Sequence, residues 1–212
     1  MPPSSHIYRV SASDASFPLR QCEFLSDVVH THLDLNPLIG GRIEVQEKVY
    51  PYAVILTQDC DLTQDFDARR AVVGEPNPTK RDALSRSDKI IPSVLLCQVL
   101  AAQEQRGADK ITSDIWTRIR QNKDERYHFL QAVDASCDPR QEDLPELAID
   151  FKRYFTVPTD ELYWRIDAGQ TRRRCLMASP YLEHLSTRFA YFLSRVALPE
   201  DHFSEPGAGK VV

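Results

Sequence analysis

Apolar and polar positions alternate from Phe24 to Leu35, where Val29, Leu33 and Leu35 fall between His30, His32 and Asp34. A period of two predicts a half-buried strand carrying both histidines and the aspartate on one face. Asn36-Pro37 and Gly40-Gly41 mark turns, and a second strand is expected over Arg42–Val49. The run Tyr52-Ala53-Val54-Ile55-Leu56 reads as a buried core strand. Periodicity is then lost. Residues 63–89 mix Asp65, Asp67, Glu75, Asp82 and Asp88 with Arg69, Arg70, Lys80, Arg81, Arg86 and Lys89 around Gly74 and Pro76-Asn77-Pro78, and are expected to form a long charged loop. Ile90–Cys97 restores a core strand.

Helix-favouring composition begins at Gln98 and stops at Gly107; Thr112 or Ser113 then caps a second helix with Ile115, Trp116 and Ile119 on its apolar face. Residues 98–123 therefore read as a helical insertion. Strands are predicted over Tyr127–Val133, Leu147–Val157 and Arg173–Ala178, with a turn and short helix from Pro158 through Tyr163. In the last helix Leu182, Leu185, Phe189, Phe192 and Val196 form one stripe, with Ser179 as cap and Pro180 at the first helical position. Residues 1–17 are expected to be flexible, 18–199 to form one domain, and 200–212 to be a disordered tail. The pattern predicts an α+β fold: a small antiparallel β-barrel with a helical insertion and a closing C-terminal helix.

Composition narrows the function. The 212-residue chain is 42% hydrophobic and 27% charged, ordinary for a globular protein. A net charge of −5 supplies no global field for nucleic acid, so strong duplex DNA binding is not expected. RNA contact would require a local basic patch, for which Arg172-Arg173-Arg174 is the candidate. Five cysteines, odd in number and never paired as C-x-x-C, argue against a disulfide framework or a cysteine zinc site. Neither a secretory signal nor a membrane span is read, so a cytoplasmic protein with reduced thiols is expected. Gly207-Ala208-Gly209-Lys210 lacks the strand and helix of a phosphate loop, and no cofactor is expected.

The sharpest chemical signal is Gln58-Asp59-Cys60-Asp61 at the end of the core strand. A nucleophilic cysteine wants a cation or imidazole beside it, and two aspartates supply the opposite. Cys60 is expected to pack as a small hydrophobe. Asp59 and Asp61 then remain as metal, general-base or partner-binding carboxylates, with His128 as a further catalytic candidate. His30, His32 and Asp34 share a strand face and could present ligands to a divalent metal, but equally satisfy the polar face of a half-buried strand. No metal site is favoured.

The blocks Val28-Val29 through Leu33-Asp34-Leu35-Asn36-Pro37, then Pro51-Tyr52-Ala53-Val54-Ile55-Leu56-Thr57, resemble the opening of PemK/MazF-like toxins. Ile149–Val157, with the basic stretch and helix that follow, is similar to that family's end. The resemblance covers about half the chain in separate blocks. It implies an SH3-like barrel and RNA cleavage by an arginine before the strand proline and a Ser/Thr ending the next strand. Here Tyr50 precedes Pro51, and Cys97-Gln98-Val99 holds no Ser/Thr, so the catalytic pair is missing. Gln58-Asp59-Cys60-Asp61-Leu62 also resembles a set of bacterial proteins, without assigned activity, that pair it with a Ser-Pro-Tyr…Arg-Phe-Ala helix. The expectation is a non-catalytic binding or regulatory component of a bacterial phage-defence or toxin–antitoxin-type system, with a protein partner. The alternative is an endoribonuclease or metal-dependent hydrolase joining a strand-end aspartate to a histidine.

Overall fold

The computed structural model describes residues 6–34 and 44–195. Among them β1 (Tyr8–Val10), β2 (Glu23–Asp34), β3 (Glu44–Ile55), β4 (Ser93–Ala101), β5 (Tyr127–Leu130), β6 (Leu147–Pro158) and β7 (Arg172–Met177) form one antiparallel sheet. Its order is β1-β7-β2-β3-β4-β6-β5. Six helices accompany it: α1 (Asp59–Gly74), α2 (Pro78–Ser85), α3 (Ala102–Ala108), α4 (Ser113–Arg120), α5 (Thr159–Asp167) and α6 (Tyr181–Ser194). The α+β class is as expected, but the sheet is not closed into a barrel. Among the described residues no strand pairing joins β1 to β5. The two edges meet through side chains instead. The Tyr8 hydroxyl donates to the Gln131 carbonyl at 2.7 Å, and Arg174 of β7 pairs with buried Asp138 beyond β5.

Alternation along the strands feeds two cores. Val54, Cys97, Val99, Ile149, Phe151 and Cys175 pack with Leu185 and Phe189 of α6. Ala53, Ile55, Val94, Leu96 and Val157 turn the other way and pack with Leu62 of α1 and Leu162 and Ile166 of α5. A strand covered on both faces carries apolar residues continuously, which explains the Tyr52–Leu56 run. The two strands expected on either side of Pro51 are one, β3. The β2–β3 register is constant from Ser26↔Tyr52 to Val28↔Tyr50, and the one position skipped between them sets Pro51, which has no N–H to donate, against Asp27, whose φ is +59°.

Residues 63–89 are not a loop: they complete α1 and form α2. The start of α2 has an N-terminal signature, because the Asn77 side chain accepts from the Thr79 and Lys80 amides at 3.0 and 3.2 Å while Pro78 takes the first helical position. The helical insertion begins at Ala102, since Val99, Leu100 and Ala101 still pair with Ile149, Ala148 and Leu147 in β6. Within the segment expected to be flexible, Tyr8–Val10 pairs with β7, and Ile7 and Tyr8 are buried. The last helix starts at Tyr181, with no side-chain cap from Ser179. The turns at 36–41, the start of the strand at Arg42, the stripe residue Val196 and the tail 200–212 lie outside the described residues.

Candidate functional site

At the strand end the Thr57 hydroxyl accepts from the Leu95 amide at 2.8 Å, which prolongs the β3–β4 ladder by a side chain. The chain then turns into α1. Asp59 receives Arg20 Nε and Nη2, both at 2.7 Å, and the Gln21 amide at 3.1 Å. Partial burial pushes its carboxyl up, but the Arg20 pair and the Gln21 amide outweigh that and hold it below the usual carboxylate range. Asp59 is therefore a clamp between the 18–22 segment and the first turn of α1.

Cys60 is exposed, contrary to the packed position expected for it. The cause is the helix: Leu62, Asp65 and Phe66 form the buried face of α1, and Cys60 falls outside it. Its thiol faces Gln58 Oε1 at 3.7 Å and Asp61 Oδ1 at 3.6 Å, two acceptors rather than a base. Gln58 and Asp61 are exposed beside it. Among the described residues no imidazole is hydrogen-bonded to them. His128 lies on edge strand β5, three strands from β3 and so about 14 Å away across the sheet. Among the described residues no carboxylate–histidine pair is assembled at the strand end.

The Arg172–Arg174 run is not an open cationic patch either. Arg173 sits against Glu23 at 2.6 and 2.9 Å, with side-chain exposures of 1% and 0%. Its remaining donors hold the carbonyls of Asp14, Phe17 and Pro18 at 2.8–3.0 Å. Arg174 pairs with buried Asp138, and Arg172 with Asp27 at 2.6 Å. A charge triple that looks like a phosphate contact in sequence is a set of internal ion pairs.

His30 and His32 do share a face of β2, stacked at 5.9 Å between ring centroids. They are part of an aromatic row, with Phe155 at 5.2 Å from His30 and itself stacked on Tyr50 at 4.3 Å. Burial, then the neighbouring His32, lowers the His30 pKa despite Glu161. Asp34 lies at the end of β2, paired opposite Glu44 of β3. Among the described residues no cluster of His, Cys, Asp and Glu is arranged to hold a metal ion.

Two concavities carry side chains that sequence reasoning missed. The larger, about 380 Å³, opens between α1 and α5 and is lined by Phe66, Arg70, Val73, Asp160 and Tyr163. Phe66 and Tyr163 lie 6.0 Å apart, Arg70 covers the Phe66 ring at 5.7 Å, and Val73 is 85% exposed. Its wall is stapled to the sheet by Arg69, which holds buried Asp65 at 2.7 Å, the Ile91 carbonyl at 2.8 Å and Asp160. The smaller concavity surrounds His128. That ring is buried with Nδ1 3.1 Å from Arg188, and His184 lies 5.4 Å away between centroids. Burial, then Arg188 and His184, holds the His128 pKa well below the ordinary histidine value. His128 was a candidate from the sequence, but its neighbours left only weak signals: Arg188 stands off the apolar stripe of the last helix, and at the other concavity Phe66 and Val73 are isolated apolar residues of a charged segment.

No protein-family model, curated protein or solved structure matches the chain. Among the described residues no helix is long and apolar enough to cross a membrane.

Proposed function

We propose that this chain is a non-catalytic binding component that captures a protein partner in the α1–α5 cleft. The carrying observation is that cleft. It is open, within the ~300–1,000 Å³ range of recognition pockets, and floored by Phe66 and Tyr163. Arg70 at its rim makes no ion pair among the described residues, and Val73 is an exposed apolar contact on the same helix. This chemistry fits a peptide segment with an apolar anchor flanked by an acidic residue. Gln58, Cys60 and Asp61, exposed at the start of the same helix, do not line the cleft and would meet only a partner that extends along α1. Aspartates clamped or facing solvent, away from the imidazoles, support binding over hydrolysis.

The finer assignment follows the same line. An antiparallel sheet whose first strand is bridged by Tyr8 to the residue after its last, with Leu185 and Phe189 of α6 packed in one of its cores, supports a relation to a PemK/MazF-like, SH3-like barrel opened along that seam. A role in a bacterial defence or toxin–antitoxin-type system rests on that resemblance.

The test compares wild-type protein with Val73→Asp and Arg70→Glu in affinity capture from a bacterial host, after circular dichroism shows all three folded. Loss of the same captured protein by both variants is expected. Equal capture by all three would remove the cleft from the interface. In parallel, wild type and Asp61→Ala are incubated with RNA, with and without Mn²⁺. Cleavage by wild type that disappears in Asp61→Ala would replace the binding reading with the ribonuclease one.

A further inference from the structure

A half-buried arginine normally meets a carboxylate, because the cost of desolvating its charge is otherwise uncompensated. Arg188 of α6 does not. Its guanidinium donates to Asn122 Oδ1 at 3.0 Å, His128 Nδ1 at 3.1 Å, the Tyr127 carbonyl at 3.0 Å and the Asp124 carbonyl, all uncharged acceptors. Among the described residues it forms no ion pair within 4.0 Å. The nearby Asp124 carboxylate is turned away to the amides of Arg126 and Tyr127 at 2.9 and 3.1 Å. Burial accordingly lowers the Arg188 pKa, against a raising contribution from Asp124.

Arg188 also fixes the imidazole. With Nδ1 accepting from the guanidinium, the neutral His128 ring carries its proton on Nε2. That ring lines a cavity of about 120 Å³ at the seam between the two sheet edges, with Arg120, Tyr181 and His184 around it and Tyr8 and Met177 behind. Arg120 is exposed and makes no ion pair among the described residues. The cavity is several times the ~30 Å³ that a water molecule takes up in the liquid, and too small for a nucleoside.

We propose that this cavity is a binding site for a single tetrahedral oxyanion, a phosphate group, received by His128 Nε2–H, His184, Tyr181 and Arg120 and backed by the unpaired charge of Arg188. The donors come from α4, β5 and α6, so a tetrahedral acceptor suits them better than a planar carboxylate. The phosphate can arrive free or as the terminus of a nucleotide or RNA, whose remainder would lie outside the cavity. The site is independent of the α1–α5 cleft, which lies against the other core.

The test is a titration of the full chain with inorganic phosphate, followed through the ring resonances of His128 and His184. Saturable shifts are expected in both. Arg120→Ala and His184→Ala, both on exposed side chains, are expected to weaken binding at least about threefold each while leaving the fold intact. Adenosine 5′-monophosphate, a 5′-phosphorylated oligonucleotide and its unphosphorylated counterpart identify the source. Tighter binding of the phosphorylated oligonucleotide alone assigns an RNA end, and equal binding of all phosphate carriers assigns the free anion. No saturable shift with any phosphate carrier, or unchanged affinity in both variants, overturns the proposal. Acetate binding as tight as phosphate would do so too.

Discussion

Replacing Arg173 by methionine separates the two readings of the Arg172–Arg174 run. The substitution keeps an unbranched side chain of similar reach but leaves the Glu23 carboxylate, fully buried, without its cation. It also releases the carbonyls of Asp14, Phe17 and Pro18. Breaking one side of a buried pair costs about 3–5 kcal/mol, a large part of a typical stability of about 5–15 kcal/mol. At about 2–4 °C per kcal/mol for a chain of this size, Tm should fall by roughly 6–20 °C. Arg172→Met removes a pair that is partly open to solvent and should cost no more than about 1 kcal/mol. Urea unfolding followed by circular dichroism measures both, and an unchanged m-value would place the effect in the folded state. The double variant Arg173→Met/Glu23→Leu should recover part of the loss, because no unpaired charge remains. Equal, small losses from Arg172→Met and Arg173→Met would refute the internal-pair argument and restore the basic-patch reading.

Four further outcomes are expected. Cys60 should react with a bulky thiol reagent as one fast equivalent that Cys60→Ser abolishes, since the other four cysteines are buried and burial pushes the Cys22 thiol up to about 12. Asp59, whose folded pKa is depressed, contributes stability above its ordinary value of 3.8 that is lost as pH falls below it; wild type and Asp59→Asn should therefore converge in acid unfolding curves, by about 1 kcal/mol or less for so exposed a pair. His128 is held neutral, so the unfolded chain takes up a proton near pH 6.5 that the folded ring refuses; stability should fall by about 1.4 kcal/mol per unit below that pH, and the slope should shrink in His128→Gln. Asn77→Ala should cost about 1 kcal/mol through loss of the α2 cap, measured by thermal unfolding.

The strands were legible wherever burial imposed a period: β2, β4, β6 and β7 lie close to their expected places. The α1–α2 segment was not legible, because α1 is held by particular ion pairs and not by a broad apolar stripe. Asp59 finds Arg20 39 positions away and Arg69 finds the Ile91 carbonyl 22 positions away, neither of which leaves a local signature. Asn77-Pro78 suits a loop as well as a helix start, and only the Asn77 bonds to the Thr79 and Lys80 amides decide for the helix. Closure of the sheet was also beyond the pattern. Strand count and alternation do not state whether the first and last strands pair, and here Tyr8 and Arg174 bridge a gap that backbone ladders would have closed.

The same long-range pairing explains why the candidate chemistry moved. Sequence proximity put a thiol and two carboxylates together, yet folding assigned one aspartate to a clamp and left its neighbours on a solvent-facing turn. The groups with unspent capacity lie elsewhere, and each depends on a helix whose other face is in a core. Phe66 of α1 closes the outer layer with Tyr163, leaving Val73 and Arg70 open to a partner. Leu185 and Phe189 of α6 fill the inner layer, placing His184 and Arg188 beside His128 at the sheet seam. A helix can present such groups only if its buried face fixes its rotation. Substituting Leu185 should therefore disturb the His128 cavity through the fold, whereas substituting His184 should change what the cavity binds and leave the fold unchanged.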